Sequence, residues 1–204
     1  MPKIVDHDAR RDEIAAVAWQ IIARDGFDQL TMRRIAGEAG YAHSAFARYF
    51  PDKESLLDAA FLLSRDLADE TIAQRTAGKH GLAALREFCL AVLPFGEEGS
   101  RHARVSFAFW NHTAQTHAFQ GPQREHALGW RARIMQFLEE AQASGEIAPD
   151  VDLVTASDEV AAANMGWQTI KLVMPDFATD ERMRAAVDAL LGSIGTIPED
   201  PADS

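Results

Sequence analysis

Between Gly26 and Leu57 the chain reads GFDQLTMRRIAGEAGYAHSAFARYFPDKESLL, and few folds accommodate that run. Met32, Ile35, Ala36 and Ala39 recur at i, i+3, i+4 and i+7, which is one apolar stripe on a helix. Thr31 precedes the stripe, where its hydroxyl can accept from the free N–H groups of the first turn. Gly40 follows at the C′ position, where positive φ costs glycine little. Tyr41 is then an apolar plug, and His43–Phe50 has the length of a short second helix with Phe46 and Phe50 inward. Its outward positions are His43, Ser44, Ala45, Ala47, Arg48 and Tyr49. Pro51 stops it, and Asp52 can cap a third helix with Lys53 in its first turn. Two short helices about a glycine turn make a helix-turn-helix, whose second helix enters the major groove of DNA.

Roles for individual residues follow from that placement. Thr31, Arg33, Ser44, Tyr49 and Lys53 are expected to position the protein on phosphates. His43, Ser44, Ala45 and Arg33 are the candidates for base edges, and Arg48 can serve either role. Arg33 against a guanine would be the strongest single contact, worth ~1–3 kcal/mol of discrimination.

The residue types at these offsets resemble the N-terminal domain of the TetR family of transcriptional regulators. The carrying residues are Ile14, Ala18, Ile21, Gly26, Thr31, Ile35-Ala36, Ala39-Gly40, Phe46, Tyr49-Phe50, Asp52-Lys53 and Leu56-Leu57. Two positions depart from the family. Ala42 stands where Ser usually caps the recognition helix. Ala47 stands where a Tyr commonly touches a phosphate, a contact that the neighbouring Tyr49 could take over. The resemblance implies a homodimeric regulator, usually a repressor, released from palindromic double-stranded operator DNA by a small-molecule inducer.

Charge bears directly on this reading. The 204 residues carry a net charge of −11, which argues against a protein that coats nucleic acid generally. Residues 1–60 hold 8 Lys+Arg and 10 Asp+Glu, so the DNA-facing cations Arg33, Arg34, Arg48 and Lys53 would have to gather on one face. The single Cys89 excludes an internal disulfide framework, fits a reducing compartment and sits in an apolar run as a buried thiol. The polar N-terminus shows no secretory leader, and no apolar run approaches a membrane span, so a cytoplasmic protein that touches no membrane is expected.

The rest of the chain also reads as helical, giving an all-α protein. A first helix spans Arg10–Arg24, and a long one from Asp52 towards Gln74 can transmit a rotation between domains. Further helices are expected at 81–93, 101–117, 122–144, 152–174 and 179–194. The domain assignment is 1–55 for the helix-turn-helix domain, 56–196 for ligand binding and dimerisation, and 197–204 for a disordered polar tail. The segments VSFAFWNH (105–112), WRARIMQFLEEAQASGEIAPDVD (130–152) and MGWQTIKLVM (165–174) resemble the C-terminal domain of the BetI-type branch.

That resemblance implies a homodimer through the last two helices, where Ala161, Ala162, Ala163 and Gly166 permit close approach. It also implies an inducer pocket. Phe88, Phe107, Trp110, Asn111, Trp130, Trp167 and Gln168 are the candidate lining, since aromatics with a few polar groups make small-molecule sites. The same aromatics at helical spacing would serve equally as core. Trp110, Trp130 and Trp167 could box a quaternary ammonium by cation–π attraction. The histidines 102, 112, 117 and 126 lack metal-ligand spacing, so neither metal nor cofactor is expected. No nucleophile elbow, P-loop or dinucleotide fingerprint is present, and an enzyme is not expected. The rival reading is a small-molecule-binding helical protein with lost or weak DNA binding, kept open by Ala42, Ala47 and the acidic N-terminal part.

Overall fold

A computed structural model of the chain describes residues 7–42, 46–116 and 122–196. These residues form helices α1 (His7–Asp25), α2 (Met32–Glu38), α3 (Lys53–Thr76), α4 (Gly81–Val92), α5 (Gly96–Thr116), α6 (Pro122–Ala143), α7 (Leu153–Val173) and α8 (Asp180–Ile194), with a 3-10 turn at Phe27–Gln29. There is no strand among the described residues, in accord with the all-α expectation. Two compact units result: Met1–Leu67 with Arg104–Gln123, and Ala68–Ala103 with Arg124–Ser204. Helices α3 and α5 each run from one unit into the other.

The first unit is built on the apolar stripe of α1. Ile14, Ala18, Ile21 and Ile22 pack with Ile35 and Ala36 of α2, with Phe46 and Phe50, and with Leu56, Leu57 and Ala60 of α3. Val105 and Phe109 of α5 join the same core. Phe46 and Phe50 are fully buried, each stabilising the unit by ~1.5–3 kcal/mol through the area removed from water.

The second unit packs α4, α6, α7 and α8 around Leu82, Leu85, Phe88, Ile134, Leu138, Val160, Met183 and Leu191. Glu146 ties three segments together. Its carboxylate accepts the Leu82 N–H at 2.8 Å and the Ser144 hydroxyl at 2.7 Å, while its carbonyl accepts the Thr196 N–H at 2.9 Å. The caps expected of Asp152 and Thr179 are present, accepting from Val154 N–H at 3.0 Å and Arg182 N–H at 3.3 Å.

Two helices start earlier than their patterns suggested. Helix α1 opens at His7 rather than Arg10. Helix α5 opens at Gly96 rather than 101, because Gly96, at φ +64°, already turns the chain into the helix. Glu97 and Glu98 then occupy the first turn, where the helix dipole favours carboxylates. His117 and the 197–204 tail lie outside the described residues.

Candidate nucleic-acid interface

The turn at the centre of the motif is closed by local chemistry. Thr31, in extended backbone, accepts the Arg34 N–H at 3.2 Å and so caps α2. At the other end Gly40 adopts φ +75°. The Tyr41 N–H donates to Ala36 O at 2.8 Å and the Gly40 N–H to Gly37 O at 3.2 Å. Those two bonds are the Schellman pair, which satisfies the last carbonyls of α2 and turns the chain into the recognition segment.

In that segment Phe46 N–H donates to Ala42 O at 3.0 Å, and Phe50 N–H to Phe46 O at 3.2 Å. With both phenylalanines buried, Ala47 and Arg48 are left exposed. His43, Ser44 and Ala45, expected to meet base edges, lie outside the described residues. The Asp52 carboxylate accepts the Ser55 N–H at 2.8 Å, and that bond holds its carboxyl below the usual range. Lys53 is exposed, with its ammonium 5.0 Å from the centre of the Phe27 ring.

The four cations expected on one face divide by partner. Arg34 is bound in a network: it pairs with Asp25 and, at 3.0 Å, with Glu38, which also holds Arg24 at 3.0 Å. The guanidinium groups hold the Glu38 and Asp25 carboxyls below their usual range, Arg34 chiefly for the first and Arg24 for the second. Arg34 is therefore structural and leaves the set. Arg33 and Arg48 are exposed and make no ion pair among the described residues, so they are free to meet an anion.

Tyr49 is half-buried, with its ring 4.7 Å from His7 and 5.6 Å from Tyr41, edge-on to the latter. Its carbonyl accepts from Arg11, whose guanidinium also lies 4.4 Å over the Phe50 ring. Sequence reasoning missed Arg11. The available signal was its place at i−3 from Ile14, a charge on the buried stripe of α1.

The seven candidate ligand residues are not brought together within one unit. Phe107 (40% exposed), Trp110 and Asn111 belong to the first unit, where Asn111 accepts from Gln115 at 3.4 Å. Phe88, Trp130, Trp167 and Gln168 belong to the second. Phe88 is buried and packs 5.0 Å from Trp130, while Trp167 stacks on Phe177 at 6.4 Å. The pattern also passed over Ser157 and Asn164, which share a buried face of α7 with Gln168. Ser157 Oγ and Asn164 Nδ2 have no hydrogen-bond partner among the described residues. Asn164 sits beside the Cys89 thiol, which burial pushes up to about 12. Among the described residues no group of three or more His, Cys, Asp or Glu could hold a metal ion.

Comparison with known proteins matches both parts of the chain. Residues 82–196 match the C-terminal domain of BetI-type transcriptional repressors, and residues 14–60 match bacterial regulatory proteins of the tetR family. The HTH-type transcriptional regulator PksA of Bacillus subtilis is 33% identical over 111 residues, 53% of this chain and 54% of that protein. The match thus spans about half the length of that relative. A transcriptional regulator from Rhodococcus sp. Rha1 superposes with a TM-score of 0.80 at 21% identity, over 93% of this chain and 99% of that one. A candidate regulator from Saccharomonospora viridis, solved in complex with choline, gives the same TM-score, identity and coverage. These likenesses show the fold.

Proposed function

The chain belongs to the TetR family of bacterial regulatory proteins, with a BetI-type C-terminal domain, and from that premise we propose that it is a DNA-binding transcriptional repressor. The observation that carries the reading is the capped and Schellman-closed turn, with Arg33 and Arg48 exposed beside it and in no ion pair among the described residues. Thr31, Tyr49 and Lys53 would hold phosphates, and the segment containing His43, Ser44, Ala45 and Arg48 would enter the major groove. The residues before and after this motif are acidic on balance, so binding depends on a few placed cations rather than on a general basic surface.

The protein acts as a homodimer through α7 and α8. Val154, Met165 and Val173 of α7 are large apolar side chains left exposed in the single chain, which supports burial against a second copy. A two-fold dimer reads half-sites about 34–36 Å apart, hence a palindromic operator. An inducer bound in the second unit favours a state that no longer matches this spacing, limited by its differential affinity for the two states. Ser157 and Asn164, on one buried face of α7 with Gln168, support such a site. Buried polar atoms without partners, as Ser157 Oγ and Asn164 Nδ2 are among the described residues, cost ~1–3 kcal/mol each, which a ligand could offset. Choline, bound in the structure of one similar protein, is the first probe to titrate. No helix among the described residues is long and apolar enough to cross a membrane, and the proposed site of action is the cytoplasm.

The test is capture of genomic DNA fragments by the purified protein at physiological salt. Recovery of a palindromic site, released by a ligand, is the expected result. A confirmed dimer, free of bound ligand, that retains no fragment would overturn the reading in favour of a DNA-silent ligand-binding protein.

A further inference from the structure

We propose that a cleft between the N-terminal turn of α1 and the Gly40 turn is an additional seat for a DNA backbone phosphate, formed by Arg10, Tyr41 and Tyr49. The inference rests on the DNA-binding reading and adds to it two residues, Arg10 and Tyr41, from outside the recognition segment.

The cleft has a volume of about 390 Å³ and is lined by Arg10, Ala39, Gly40, Tyr41 and Tyr49. Its chemistry is one-sided. A guanidinium supplies up to five N–H donors and two phenols supply one O–H each, while no carboxylate is in the lining. That donor set fits a small anion. Gly40 keeps the wall low: a Cβ there would meet nothing within 4 Å, and its φ of +75° disfavours any side chain. The volume exceeds what one phosphate fills, leaving room for the attached sugar.

Position selects the anion. Tyr49 belongs to the recognition segment, and Ala39, Gly40 and Tyr41 are the turn that leads into it. A phosphate held here would lie beside whatever groove that segment enters, which is where a duplex backbone runs.

Arg10 is also the available cation of its neighbourhood. Arg24 and Arg34 are bound to Asp25 and Glu38, and Arg11 is turned inward onto Tyr49 and Phe50. Arg10 pairs with Glu13 at 2.5 Å, but both side chains are about half exposed (44% and 57%). An exposed pair of this kind contributes little and exchanges readily for a bidentate guanidinium–phosphate contact.

The experiment is a titration of wild type and variants with a short random-sequence duplex across a salt series. Random sequence isolates backbone contacts. Replacing Arg10→Gln should make the slope of log affinity against log salt shallower by about 0.9 for each Arg10 engaged, about 1.8 for a dimer with both seats filled. Arg10→Lys should keep the slope. Tyr41→Phe should weaken binding and leave the slope alone. Arg101→Gln, which removes the same charge from another exposed ion pair within one helix, should leave both unchanged. Circular dichroism verifies that each variant keeps its helices. A wild-type slope in Arg10→Gln overturns the proposal, as does an equal loss in Arg101→Gln, which would mean diffuse charge. Saturable binding of inorganic phosphate lost in Arg10→Gln, with DNA slopes unchanged, would make the cleft a free-anion site and overturn it too. If wild type shows no salt-dependent DNA binding, the DNA-binding reading falls first and this seat with it.

Discussion

Arg11 gives a sharp test of how the fold serves recognition. It donates to the Tyr49 carbonyl and covers the Phe50 ring at 4.4 Å, so it clasps the C-terminal end of the recognition segment to α1. A hydrogen bond from a charged donor is worth ~1.5–3 kcal/mol. A partly exposed cation–π contact adds ~0.5–1 kcal/mol. Arg11→Met keeps the aliphatic stem over Phe50 and removes the charge and the donor. Water can reach the freed carbonyl in part, so the net loss should be ~2 kcal/mol, near the low end of that sum. At 1.4 kcal/mol per decade this is a factor of about 30 in the population of the ordered segment. Apparent affinity falls with the competent fraction, which bounds the loss of operator affinity at about 30-fold per subunit. Affinity for random duplex should change little, and the salt slope should not change, because Arg11 is directed at protein rather than phosphate. The assay pairs the captured operator fragment with a random duplex at several salt concentrations. Arg11→Lys should recover part of the loss, since an ammonium can still donate to the carbonyl and lie over the ring. Full operator affinity in Arg11→Met would refute the clasp. A shallower slope like that expected of Arg10→Gln would show a phosphate contact instead.

Three further outcomes follow from single contacts. Thr31→Ala removes the acceptor of the Arg34 N–H and should cost ~1 kcal/mol, about 4–8 °C in the midpoint of a unit the size of the first; Thr31→Ser should keep it, and an unchanged midpoint in the alanine variant would show the cap to be idle. Glu146→Ala leaves the Leu82 N–H, on a fully buried residue, without its acceptor, and should destabilise the second unit by ~1–3 kcal/mol in denaturant unfolding, with Glu146→Gln milder; the reverse order would exclude this role. His102 is held below its ordinary 6.5 by burial, partly offset by Glu98, so the folded state binds the proton less well than the unfolded one. Its contribution is complete above pH 6.5 and is lost as the pH falls through the folded value. The depressed carboxyls of Asp25, Glu38, Asp52 and Asp152 lose theirs only in more acid solution, from about 4 downward. A decline in stability just below neutrality that survives in His102→Gln would assign it elsewhere.

What the chain revealed in advance was whatever local chemistry decides. Thr31 as cap, Gly40 at positive φ, Asp52 as cap and Phe46 with Phe50 inward all depend on neighbours within a few residues, and each is present. What stayed hidden depends on partners distant in sequence. Arg34 read as a DNA-facing cation because its pairing with Asp25, nine residues away, depends on how α1 meets α2. Aromatic spacing marked Phe107 and Phe88 alike, yet one is 40% exposed and the other buried, since period alone does not say which stripe faces in. Ser157 and Asn164 were passed over for the opposite reason: their i, i+7 spacing, continued to the candidate Gln168 at i+11, was visible, but polar residues are discounted as core.

The tandem Arg10-Arg11 shows the same limit at its smallest scale. Two identical side chains in succession differ in direction by about 100° on a helix. From the sequence they are one basic dipeptide. In the fold Arg11 falls on the stripe of Ile14 and Ala18 and turns onto Tyr49 and Phe50, while Arg10 falls outside it and lines the cleft. One should change specific affinity at constant salt slope, and the other should change the slope itself. The pair of measurements therefore separates holding the recognition segment from holding the DNA, within two adjacent residues and with no assumption about the operator's sequence.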